Sequence, residues 1–177
     1  MVSMALLFVA GIASWTFVEY VIHGWLSHQF RTFATPLHDV HHRDPHAVFT
    51  VGAWLPVGAT VAIGLAFFGL CGAMVFFLGL VAGFAAYEVI HYRIHFRHPS
   101  SAIEARLRAR HLAHHAAAPD AIFGVSTSFW DRVMGTEPAF ERMRELETEV
   151  AEVAPLSGPS NWRRAFFLSS GRPNTAA

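Results

Sequence analysis

The sequence predicts an all-α, integral-membrane helical bundle of about three spans, capped by cytoplasmic helices that carry a His-rich dimetal site. Three observations lead there. One is an uncharged apolar stretch of unusual length, another is a further apolar segment near the start, and the third is the gathering of histidines at the ends of both. The chain has 177 residues, which suits one domain, because two halves would each bury too little to be stable. Fifty-three percent of the residues are hydrophobic and the mean hydropathy is +0.35. Formal net charge is zero and no basic block runs far, which excludes a nucleic-acid-binding surface. The single Cys71 excludes an internal disulfide framework and a Cys-rich zinc site.

From Ala47 to Tyr87 there are 41 positions without a charged side chain. A helix needs about 20 apolar residues to cross a hydrocarbon core of about 30 Å, so this stretch suits two spans and is too long for one. The expected spans are 48–68 and 72–92, joined by a turn at Gly69-Leu70-Cys71-Gly72. A buried hairpin in a soluble protein would need a surrounding shell that this chain cannot supply. Met4 to Ile22 is the expected first span (4–22), broken only by Glu19. It reads as a retained span, since no positive charge precedes it and no small-residue cleavage site follows. Arg31 and Arg43 follow this span, and Arg93, Arg97, Arg106, Arg108 and Arg110 follow the last one, while the turn carries no basic residue. The positive-inside rule then turns regions 23–46 and 91–136 toward the cytoplasm. Residues 1–153 are expected to form the membrane domain, with a solvated helix at Glu137–Glu152, and 154–177 a flexible tail. Gly79 and Gly83 form a GxxxG that reads as close helix packing.

Ten of the twelve histidines fall into four motifs: His23 with His28, His38 with His41 and His42, His91 with His95, and His111 with His114 and His115. His46 and His98 stand apart as ordinary residues. Residues at i, i+3 and i+4 share a helix face, so each HxxHH triplet is expected to converge, as is the His91–His95 pair. His23 and His28 are five apart, about 140° on a regular helix, and can meet only if the helix loosens near Gly24. Neutral imidazole suits iron, zinc, copper and nickel, and ten imidazoles are too many for one ion. Two ions with four or five each match the count. Such ligands are usually oriented by outer hydrogen-bond acceptors, for which Glu19, Asp39 and Glu88 are the candidates beside the motifs, with Asp131 further along.

In this order the motifs resemble those of the fatty acid hydroxylase/sterol desaturase superfamily, from about Glu19 to Thr136. The segment Tyr87–Tyr92 resembles the family's third His box, and Phe123–Thr136 the stretch after its last box; both lean toward the fatty acid 2-hydroxylase branch. The resemblance implies a non-haem centre of two Fe ions held by the ten motif histidines, with dioxygen as co-substrate and a lipid-like substrate such as a fatty acyl chain. One oxygen atom would enter the substrate and the other leave as water, with two external electrons. Zinc has no redox chemistry and would be a substitute from purification. No fused haem domain is seen, so a separate electron donor is expected, a ferredoxin or cytochrome with its reductase. The expected location is a bacterial inner membrane. Trp130 and Asp131 are expected to brace the loop over the metal site. Phe8, Phe17, Phe67, Phe68, Phe76 and Phe77 are expected to face lipid or pack between helices. A carotenoid or sterol-type hydroxylase or desaturase at the same centre is the nearest rival, since the short length resembles bacterial carotenoid ring hydroxylases. A His-rich membrane metal transporter is the rival from another class, but its ligands would lie near the midplane of the bilayer rather than beyond the spans.

Overall fold

The first helix, α1 (Met4–Tyr20), runs unbroken into a π-helical stretch, Val21–Gln29. The computed structural model describes residues 3–30, 32–44 and 54–153, and every described element is helical. After α1 come α2 (Ala34–Arg43) and the long α3 (Trp54–Phe96). The cap follows as α4 (Ala102–Ala116), α5 (Phe129–Met134) and α6 (Phe140–Val153). Arg31, His46 and the expected tail lie outside the described residues, as do the first residues of the expected second span.

α3 is a hairpin rather than one rod. Gly69 takes φ +67°, a left-handed value that only glycine adopts freely, and the helix breaks there. Gly64 lies against Ala73 and Phe76, with a Cβ built on it 3.7 Å from each. On a straight helix Gly64 and Ala73 would be about 14 Å apart at 1.5 Å per residue. The chain therefore reverses at the first residue of the turn expected from sequence.

The second arm of α3 packs on α1, and glycines set the distance. A Cβ at Gly79 would collide with the Phe8 carbonyl, and one at Gly11 with the Phe76 carbonyl. A Cβ at Gly83 would stand 2.6 Å from that of Trp15. Trp15 and Leu80 fill the seam, flanked by Val18, Phe77, Phe84 and Tyr87. Outside the seam the helices are apolar and uncovered: Leu6, Val9, Leu70, Met74, Leu78 and Val89 are each more than half exposed.

Met4–Gln29 and Gly69–Phe96 are long and apolar enough to cross a bilayer, while the described apolar part of the first α3 arm, Gly58–Phe67, is shorter. Only 28% and 33% of their most apolar windows are buried inside the protein, unlike a core helix of a soluble domain. The chain is a membrane protein. Of the expected phenylalanine surfaces, Phe67 is 78% exposed, Phe17 packs on Trp130 at 4.7 Å, and Phe77 lies against the seam.

α4 starts where its sequence allows. Ser101 Oγ accepts the Glu104 N–H at 3.2 Å, while Glu104 reaches back to the Ser100 N–H at 2.6 Å. Glu104 also holds Arg93 Nε at 2.5 Å, which pins the start of α4 to the end of α3. The chain thus turns back after Phe96 instead of continuing the spanning helix, and α4 packs against α3. α6 closes the cap with Met143, Leu146 and Val150, spaced 3 and 4 apart, against Leu112, Ala113 and Ile122.

Candidate metal centre

The π-helical stretch solves the five-residue spacing of His23 and His28. Its backbone bonds span five residues instead of four, as in Phe30 N–H to Trp25 O at 2.8 Å. Residues five apart then return to one face. Ser27 Oγ donates to the Ile22 carbonyl at 2.7 Å, so a side chain supports the wider turn. Gly24 lets the Phe123 ring approach; a Cβ there would stand 2.8 Å from the ring.

All ten motif histidines converge, in two groups of five. The first is His23, His28, His38, His42 and His114; the second is His41, His91, His95, His111 and His115. Within each group the ligand atoms lie within 4.8 Å of one another. Nε2–Nε2 separations in the first group are 2.8 Å for His28–His38 and for His38–His42, and 3.1 Å for His23–His114. In the second they are 2.9 Å for His91–His111 and 3.0 Å for His95–His111 and His111–His115. Each HxxHH triplet is divided, contrary to the expected convergence of all three. The i and i+4 histidines go to one group and the i+3 histidine points to the other, because positions i+3 and i+4 are about 100° apart around a helix. α2 and α4 each therefore bridge both groups. His98 is exposed and takes no part.

The outer acceptors differ from those expected. His23 Nδ1 donates to the Phe123 carbonyl at 2.5 Å, and His114 Nδ1 donates to the Ala121 carbonyl at 2.7 Å. Among the described residues Glu19 bonds to the loop rather than to an imidazole; it accepts the N–H groups of Val125 at 2.7 Å and Ser126 at 2.8 Å, and the Ser126 hydroxyl. All three bonds go to the loop that carries Phe123. Asp39 is exposed at the surface of α2, and Glu88 has a buried Oε2 with no hydrogen-bond partner among the described residues. Asp131 is fully buried and accepts from Phe123 N at 2.8 Å, Gly124 N at 3.1 Å and Thr136 Oγ1 at 2.9 Å. Trp130 Nε1 donates to Thr16 Oγ1 at 2.9 Å and ties the same loop to α1. Behind Asp131 lies Arg110, with Nη2 at 3.3 Å from it and Nη1 at 2.7 Å from Glu137.

Burial drives the cap imidazoles toward the neutral form. His42 is pushed down to about 2 and His114 to about 3, chiefly by desolvation, though the Ala121 carbonyl opposes it at His114. His38, His111 and His115 are lowered as well, by burial first and then by neighbouring imidazoles.

The fatty acid hydroxylase family model matches residues 8–136, well over half of the chain. This chain belongs to the fatty acid hydroxylase family. A dihydroceramide fatty acyl 2-hydroxylase of Arabidopsis thaliana is 31% identical over 77% of this chain and 62% of its own length. A fatty acid 2-hydroxylase of Macaca fascicularis is 35% identical over 71% of this chain and 37% of its own. Among solved structures, full-length scs7p, of which only the hydroxylase domain is visible, superposes with a TM-score of 0.68 at 27% identity, covering 77% of this chain and 56% of that one. The chain thus spans under two thirds of the length of these relatives.

The site fits the metal ions that membership of the hydroxylase family implies. A neutral imidazole has one N–H, and His23 and His114 both spend it on a carbonyl. Their Nε2 atoms are then bare lone pairs, yet they face each other at 3.1 Å. Two acceptors at that distance repel, and a cation between them removes the conflict. Two nitrogens at right angles around one ion, each about 2.1 Å from it, stand about 3.0 Å apart, which is the spacing seen in both groups. Sequence reading had no signal for the Phe123 and Ala121 carbonyls, since every residue carries one. Arg110 was read only as an orienting charge, although two carboxylates meet on it.

Proposed function

We propose that this protein is a membrane-bound non-haem di-iron oxygenase that hydroxylates a fatty acyl chain of a lipid, using dioxygen and electrons from a separate donor. The observation that carries this reading is the pair of five-imidazole groups, each with its ligand nitrogens within 4.8 Å of one another. Each group would hold one ion. Two bound irons supply the dioxygen chemistry that breaking an unactivated C–H bond requires and that side chains lack. Burial keeps the imidazoles unprotonated and free to bind metal, and α6 covers Leu112 and Ala113 of α4, the helix that carries His111 and His115. α2 turns His38 and His42 inward and leaves Phe33, Leu37 and Val40, at i, i+4 and i+7, exposed on its other side. That face suits the bilayer surface, where an acyl chain would approach the site. The arginines beside the histidines support a site on the cytoplasmic side of a bacterial inner membrane. The relatives named for acyl 2-hydroxylation support a fatty acyl substrate.

The test is anaerobic loading with ferrous iron, followed by lipid extract, a reductant and ¹⁸O-labelled dioxygen. Label in the hydroxyl group of a lipid product supports the proposal. Loss of two hydrogens without label moves the assignment to desaturation, and no oxygen-dependent use of reductant removes the oxygenase reading.

A further inference from the structure

We propose that the two metal sites are inequivalent: the segment Ala121–Ser126 is a strap that pre-sets the site of His23 and His114, and Glu19 and Asp131 are the positioning residues that hold it. The inference rests on the di-metal reading above.

The geometry of the strap carries the argument. Four successive N–H groups, those of Phe123, Gly124, Val125 and Ser126, all donate to two carboxylates. Asp131 takes the first two and Glu19 the others. A peptide unit is planar and trans, so its C=O points away from its N–H. With the Gly124 N–H fixed on Asp131, the carbonyl of the same peptide unit, that of Phe123, must face the other way, and there it meets His23 Nδ1 at 2.5 Å. The peptide two positions earlier repeats the device. The Ile122 N–H donates to the Thr136 carbonyl at 3.2 Å, and the Ala121 carbonyl on the opposite side receives His114 Nδ1 at 2.7 Å. Thr136 is itself tied to Asp131, through its Oγ1 at 2.9 Å and its N–H to the Asp131 carbonyl at 2.8 Å. Ile122 is the one non-glycine residue among those described with a left-handed backbone, φ +61°, and it sits in the middle of this arrangement.

The strap is asymmetric. Both imidazoles that it orients belong to the first group. In the second group, Nδ1 of His91 and of His111 is buried and has no hydrogen-bond partner among the described residues. An N–H to carbonyl bond fixes the tautomer and ring orientation and makes the opposite nitrogen a stronger donor to metal, and its loss typically weakens metal binding about 10–100-fold. The first site is thus built to bind the tighter of the two ions.

The experiment is a chelator challenge of the full chain in detergent, loaded anaerobically with two equivalents of ferrous iron. The wild type is expected to release one iron quickly and the other about 10–100-fold more slowly. His114→Ala should abolish the slow phase, and His111→Ala the fast one. Glu19→Ala should accelerate the slow phase by about 10–100-fold and leave the fast phase alone. Glu19→Gln, which keeps an oxygen for the Val125 and Ser126 N–H groups, should retain the slow phase. If Glu19→Ala does not fold, Thr136→Val, which removes the hydroxyl donor to Asp131, should give the same selective acceleration to a smaller degree. One common release phase in the wild type overturns the inference, as does loss of the slow iron in His111→Ala. So does a Glu19→Ala chain, or its Thr136→Val substitute, that releases both irons faster by the same factor or neither. A wild-type chain that takes up fewer than two irons sinks the di-metal reading itself, whereas two irons released in one phase sink only the inequivalence.

Discussion

Arg110→Ala is expected to be among the most destabilising single substitutions in the cap. The side chain is 2% exposed and lies between Asp131, at 0%, and Glu137, at 17%. Removing one partner of a buried ion pair costs about 3–5 kcal/mol, because the remaining charge stays buried without compensation. Here Asp131 keeps three donors, from Phe123, Gly124 and Thr136, and Glu137 keeps Arg132 at 2.7 Å. Those partners place the cost at the lower end, about 3 kcal/mol. Arg132→Ala removes a charge from the same network, but that side chain is 57% exposed. An exposed pair contributes about 0–1 kcal/mol, so the two variants should differ by at least about 2 kcal/mol. Reversible unfolding in mixed micelles by a denaturing detergent measures both. If the two variants unfold within about 1 kcal/mol of each other, the buried network does not hold the cap as described.

Three further outcomes are expected. Gly79→Val should force α1 off α3, since the Phe8 carbonyl occupies the space, at a cost of about 1–3 kcal/mol, while Gly64→Ala, with ordinary contacts at 3.7 Å, should be tolerated; equal unfolding midpoints would contradict the seam. Ser27→Ala should lose about 1 kcal/mol with its bond to the Ile22 carbonyl, and a drop in bound metal without loss of helical circular dichroism would tie the π-turn to the site. His42 and His114 titrate near 2 and 3 when folded, against about 6.5 when unfolded. Both values are lowered, so the metal-free fold should be intact above about pH 6.5 and weaken as pH falls below it, because the unfolded chain takes up protons that the buried rings refuse. A metal-free chain equally stable at about pH 5 and pH 7.5 would refute this burial of neutral imidazole.

Local spacing made much of the architecture legible. The uncharged run from Ala47 implied a hairpin, and its reversal falls at Gly69, within the glycine-containing turn read from sequence. The i, i+4 rule paired His91 with His95, His38 with His42, and His111 with His115. The same rule hid the division of each triplet, because helical spacing says which side chains share a face and nothing about where a second group lies. The π-turn was legible only as a requirement: five residues between His23 and His28 demanded a looser helix, but nothing local fixed its form. The partners of Glu19 lie more than 100 residues away along the chain, on backbone N–H groups that any sequence would carry. Arg110 was opaque for the same reason, since Asp131 and Glu137 reach it only through the packing of α4 against the α5 region.

Iron-edge anomalous diffraction from crystals of the metal-loaded protein asks the central question directly. Two peaks are expected, one enclosed by ring nitrogens of His23, His28, His38, His42 and His114, the other by those of His41, His91, His95, His111 and His115. A lone peak, or two peaks that share the histidines out differently, would contradict this arrangement.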